Sequence, residues 1–146
     1  MKPVLVVDAS VAVKWFIPQE PEEDDVPAAL DLLQAYGDDK ISLYQPPIWH
    51  AEVLAVLARV VPDSAERHAW RLLSLDHETA DSPAVFLKAV QTSVTLDHHL
   101  FDTIYHAAAL SHPNAVLITS DVRYLKKAAP LGRILSLSAW RQVLGT

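Results

Sequence analysis

Four carboxylates stand where apolar packing does not account for them: Asp8, Glu52, Asp102 and Asp121. Asp8 directly follows the unbroken apolar run Val4–Val7, and Asp121 follows Val116, Leu117, Ile118 and Thr119 after one intervening serine. Each run has the make-up of a buried parallel strand, and open α/β sheets place their ligands at the carboxyl ends of such strands. Either Asp has a plainer use as the cap of a following helix. On neighbouring parallel strands, however, the two would share one crevice, where like charges repel unless protonated or bridged by a cation. Oxygen donors in a chain without cysteine favour a hard ion, Mg²⁺ or Mn²⁺.

Glu52 lies on a helical pattern with Ile48, Trp49, Ala55 and Val56 three and four positions away. A lone carboxylate in such a stripe is costly without a positive partner. The alternative is a place at the stripe's margin or a pairing with arginine; the two strand-end acids favour the functional reading. Asp102 falls inside TLDHHLFDTIYHAAAL, among Leu100, Phe101, Ile104 and Tyr105, and needs a reason beyond solubility. Asp97 is expected at that helix's N-cap and is the lesser candidate. His98, Asp102 and His106 share a four-residue spacing but lack the HExxH arrangement, so these histidines are expected at the surface or rim, some touching phosphate when protonated. His50, His68, His77 and His112 receive no assignment, and Trp15, Trp49, Trp70 and Trp140 are expected in core or interface. Arg123, Lys126 and Lys127 are by default a solvated helix face; the second reading is positive charge for a polynucleotide backbone.

The elements that must carry these residues alternate. After the first strand, Ser10 is expected to cap a helix over 11–17 that Pro18 stops. The acidic EPEEDDVP segment is expected to be an exposed loop leading to a helix over 27–36, ended by Gly37. A strand over 41–44 turns at Gln45-Pro46-Pro47 into a helix over 48–60. Asp63 and Glu66 have the spacing of a capping box for a helix to about residue 75. Ser82-Pro83 opens the next, ending near Val94. Helix 96–111, strand 115–119, helix 122–129, strand 134–137 and a terminal turn capped by Ser138 complete the order. Strands alternating with helices predict right-handed βαβ units around a parallel sheet in one α/β domain over residues 1–146.

The 146 residues suffice for one domain with a sizeable core, and 51% hydrophobic against 21% charged residues argues against disorder. No apolar run reaches the ~18–20 residues of a membrane span. With no signal-peptide layout, a soluble cytoplasmic protein without membrane association is expected. The net charge of −6 counts against a protein that coats nucleic acid, but not against an enzyme that grips phosphate through metal. It also suits a basic protein partner. No GxGxxG, P-loop or GxSxG motif occurs, which withdraws support from dinucleotide, NTP and serine-hydrolase chemistry.

With VVDASVAVKWF, IWHAEVLAVLAR, HHLFDTIYHAAAL and VLITSDVRYLKKA in this order, the chain resembles the PIN-domain nucleases, specifically VapC-type toxins of bacterial and archaeal toxin–antitoxin pairs. The resemblance implies a PIN-like three-layer fold, a five-stranded, mainly parallel twisted sheet flanked by helices, commonly as a homodimer. It assigns Asp8, Glu52, Asp102 and Asp121 as catalytic metal ligands, with Ser10 and Thr119 orienting carboxylates or water. One or two Mg²⁺ or Mn²⁺ ions would activate water to cleave RNA, leaving 5′-phosphate and 3′-hydroxyl ends. A further acidic ligand of some members has no secure match. The implied partner is a VapB-like antitoxin whose tail pushes a basic side chain into the acids, with Trp15, Phe16 and Ile17 serving either its groove or the core.

Two other classes compete. An aspartate-nucleophile phosphatase, dehalogenase or receiver domain also uses a strand-end Asp, but leaves Glu52 unexplained. A PIN-like scaffold that binds RNA or protein without cutting has no need of four intact acids.

Overall fold

The computed structural model describes residues 2–17 and 25–145; Pro18 and most of the acidic EPEEDDVP segment lie outside the described residues. Five strands form one all-parallel sheet: β1 (Val4–Val7), β2 (Ser42–Gln45), β3 (Glu78–Thr79), β4 (Ala115–Thr119) and β5 (Ile134–Ser136), in the order β3-β2-β1-β4-β5. β1 is central. Leu5, Val6 and Val7 are fully buried, which is why its apolar run does not alternate with polar residues. β1 pairs with β4 from Val4↔Ala115 to Val7↔Ile118, so the two strands end level. The chain leaves β1 toward β2 on one side and reaches β4 on the other, which makes their carboxyl ends the switch point of the sheet.

Among the described residues seven α-helices flank it: α1 (Ala9–Ala12), α2 (Asp25–Gly37), α3 (Ile48–Val60), α4 (Ala65–Leu73), α5 (Pro83–Leu96), α6 (Leu100–Ser111) and α7 (Val122–Ala128). With the strand order β3-β2-β1-β4-β5, the right-handed rule for parallel crossovers puts the β1→β2→β3 connections on one face and β3→β4→β5 on the other. α6 lies against β1, β2 and β4, and its stretch from Thr103 to Ala109 is wholly buried. Ala107, Ala108 and Ala109 let its backbone approach the sheet closely, and the Thr103 hydroxyl donates to the Ala89 carbonyl of α5 at 3.1 Å. No described helix is long and apolar enough to cross a membrane.

Several expected boundaries shift for physical reasons. Asp8, not Ser10, caps α1; the helix tightens into a 3-10 turn over Val13–Trp15 instead of running on to residue 17. Asp97 takes a left-handed conformation (φ 49°) and closes α5, so it is a C-cap rather than an N-cap, and α6 starts only at Leu100. The Asp63–Glu66 capping box does not form; Ser64 precedes α4 without a side-chain cap. Ser136, not Ser138, precedes the terminal 3-10 stretch Leu137–Leu144. The two-residue edge strand β3 has no counterpart in the sequence reading. Trp15, Trp49 and Trp140 are core residues, whereas Trp70 is 70% exposed. Trp15 donates to the Ala29 carbonyl of α2 at 3.0 Å, and Phe16 and Ile17 pack against the core.

Candidate metal-binding active site

Asp8 leaves β1 in extended backbone and accepts the Val11 N–H at 3.3 Å, the bond that starts α1. Its Oδ1 also accepts from the Ser10 hydroxyl and its Oδ2 from the Thr119 hydroxyl, the last residue of β4. The same Thr119 oxygen accepts the Asp121 N–H at 3.0 Å. One hydroxyl therefore ties the two strand-end acids together. Ser10 makes a second tie, accepting the Ser120 N–H at 3.3 Å and sitting 3.1 Å from the Ser120 hydroxyl. Asp121 caps α7 by accepting the Tyr124 N–H on Oδ1 at 3.0 Å. The plainer use of both acids is thus realised along with their convergence.

Glu52 projects from α3, whose buried line is Trp49, Val53 and Leu57. It is therefore a half-buried margin residue rather than a member of the stripe. Its Oε1 accepts from the Tyr105 hydroxyl of α6, a neutral partner and not arginine. Asp102 lies in the first turn of α6 and is exposed; its Oδ2 is 2.9 Å from His98 Nε2.

Electrostatics show the crowding. Burial and the charge of Asp121 push the Asp8 carboxyl up to about 6, against the lowering effect of Ser10, Thr119 and Val11. Burial also raises Glu52, with Asp102 adding to it and Tyr105 opposing it. Tyr105 is raised by burial and by Glu52, Asp8 and Asp102; Tyr124 by burial and by Asp102, Asp8 and Asp121. Asp8 and Asp102 thus act on both phenols, Glu52 on Tyr105 and Asp121 on Tyr124. Sequence reasoning passed over both tyrosines, although each follows a site Asp by three residues on a helix, the spacing of one face. Ser120 was also missed.

His106 corrects an expectation: it is wholly buried, not at the rim. Its Nε2–H donates to the Gly132 carbonyl at 2.8 Å, so its Nδ1 accepts the Tyr124 hydroxyl at 3.0 Å. Tyr124 thereby turns its proton into the core, and its ring meets His98 edge-on. Arg123 and Lys127 line a cleft of about 980 Å³ with Asp97, His98, Asp102 and Asp121. Lys127 is engaged there, donating to the Asp97 carbonyl at 3.0 Å. Lys126 is exposed outside that lining.

Among the described residues, no three His, Asp or Glu side chains form a group that could hold one ion as they stand. The donor chemistry nonetheless fits a divalent hard cation. All four groups are carboxylates, none has a described lysine or arginine partner among the ion pairs, and a cation would relieve the repulsion that raises Asp8 and Glu52.

A doubly wound parallel sheet with acids gathered at its switch point defines a class of α/β proteins that handle anionic ligands. The PIN domain family matches residues 5–130, and the chain belongs to that family. Membership supports nuclease activity, hydrolytic and divalent-metal-dependent, in general terms. The comparison with curated proteins returned no match.

Proposed function

We propose that this protein is a Mg²⁺- or Mn²⁺-dependent endoribonuclease of the VapC toxin type, held in check by a VapB-like antitoxin. The observation that carries the reading is the Thr119 bridge between Asp8 and Asp121 at the level ends of β1 and β4. Capping α1 and α7 accounts for each acid singly, but not for a bridge that holds two mutually repelling carboxylates together, which a shared cation would relieve. Asp8 and Asp121 hold the ion, with Glu52 and Asp102 completing the acidic ring. A bound divalent ion supplies Lewis-acid polarisation of the phosphodiester and a more acidic water. Ser10 and Thr119 keep the Asp8 oxygens fixed, and Tyr105 does the same for Glu52. Arg123 offers positive charge to the RNA backbone from the cleft wall, with Lys126 and Lys127 nearby on α7.

The net charge of −6 and four acids without a described lysine or arginine partner suit a basic antitoxin side chain placed among them. Exposed Phe86, Leu87, Val90 and Val94 on α5 supply an apolar face for the proposed homodimer. The direct test is cleavage of total cellular RNA by purified protein with Mg²⁺ or with EDTA. Asp8→Asn and Asp121→Asn are expected to reduce metal-dependent cleavage at least ~100-fold, because each removes a charge on which metal binding depends. Undiminished cleavage by either folded variant overturns the metal assignment.

A further inference from the structure

His98 lies in the short link between α5 and α6, and both its peptide groups are pinned to the last turn of α5. Its N–H donates to the Ser93 carbonyl at 3.1 Å, and its own carbonyl accepts the Ser93 hydroxyl at 2.5 Å. The ring lies edge-on to Tyr124, centroids 4.9 Å apart. On one side Lys127 Nζ, already anchored on the Asp97 carbonyl, approaches His98 Nδ1 at 3.4 Å. On the other, Nε2 meets Asp102 Oδ2 at 2.9 Å. An ammonium can only donate, so it makes Nδ1 the acceptor and leaves the ring proton on Nε2, where the carboxylate needs a donor. The left-handed Asp97 turn, which ends α5, thus sets the carbonyl that anchors the lysine.

We infer that His98 and Lys127 are positioning residues that hold Asp102, an otherwise exposed side chain, by engaging Oδ2 and leaving Oδ1 to an ion. The inference rests on the reading of Asp102 as a metal-holding group. The Asp102 side chain is 47% exposed, against 18% for His98. A carboxylate that free would otherwise sample several rotamers and lose configurational entropy on taking up an ion. A hydrogen-bonded neighbour that fixes a ligand's orientation commonly changes metal affinity ~10–100-fold when removed. The brace also gives Lys127 a use other than direct contact with RNA phosphate.

Mn²⁺ titration calorimetry on the whole protein, without RNA, tests this. His98→Ala is expected to weaken Mn²⁺ binding at least ~10-fold with little change in the metal-free melting temperature. His98→Gln, whose amide N–H can reach the same oxygen, is expected to restore most of the affinity, and Lys127→Met to fall between. The inference is overturned if His98→Ala binds Mn²⁺ like the parent while Asp102→Asn binds it weakly. Equal losses in His98→Ala and His98→Gln also overturn it, because they would trace the effect to packing against Tyr124 rather than to the N–H. If Asp102→Asn itself binds Mn²⁺ normally, the metal-holding role of Asp102 fails, and the brace fails with it.

Discussion

Asp8 caps a helix, accepts two hydroxyls and faces a second carboxylate, so its titration reports the site's balance of forces. Burial raises its carboxyl from 3.8 to about 6, with Asp121 adding to the shift and the hydrogen bonds restraining it. With the folded value above the unfolded one, the stabilising contribution is present in full below about pH 4 and is lost as the pH rises through about 6. The displacement corresponds to at most about 3 kcal/mol. Asparagine cannot ionise and still offers a capping oxygen. Metal-free Asp8→Asn is therefore expected to exceed the parent in stability by about 2–3 kcal/mol at pH 7.5 and to match it at pH 4. Urea unfolding at the two pH values checks this, and a pH-independent difference would contradict it.

At the scale of elements, β2 reaches the site edge by an unusual means. Gln45 is fully buried, and its amide pairs with both polar groups of Val7: Val7 N–H donates to Oε1 at 2.8 Å, and Nε2 donates to Val7 O at 2.7 Å. The side chain serves as one more residue of neighbouring strand where the β1–β2 register ends at Leu5↔Leu43. Its own carbonyl accepts from Ala80 N–H at 2.8 Å, just past β3. Gln45→Met preserves bulk but strands both Val7 groups in the core, at roughly 1–3 kcal/mol each. The melting temperature should drop by about 5–20 °C, and metal affinity should fall as Asp8, next in sequence, loses its fixed support. A variant melting within about 2 °C of the parent would show that Val7 finds other partners.

The molecule as a whole is a scaffold loaded with like charge at one edge. Helices on both faces fix β1 and β4, so the site cannot relax by moving its strands apart. It can relax by taking up a cation. Mn²⁺ at 100 times its dissociation constant is expected to add about 2.7 kcal/mol, a rise of roughly 5–10 °C in melting temperature for a chain of this size. In Asp8→Asn the metal-free protein should melt higher and the metal-induced rise should shrink or vanish. Calorimetric melting with Mn²⁺ and with EDTA measures both. A parent protein unmoved by Mn²⁺ would contradict the linkage.

The sequence alone determined what depends on neighbouring residues. Val4–Val7 and the run from Val116 to Ile118 announced buried strands because parallel strands covered on both faces need no polar alternation. The helix over Ile48–Val60 matched residue for residue, because Pro46-Pro47 enforces the turn before it. Asp8 and Asp121 stood out because strand ends, not strand interiors, tolerate charge. Only tertiary structure decided what depends on partners far along the chain. β3 exists through its pairing with β2, and no two-residue segment carries a strand signal of its own. His106 is buried because Tyr124 and Gly132, 18 and 26 residues away, satisfy both its nitrogens. Glu52 meets Tyr105 across 53 positions. Local backbone preference is written in adjacent side chains, whereas the pairing of a buried polar group depends on which surfaces the packed helices bring together.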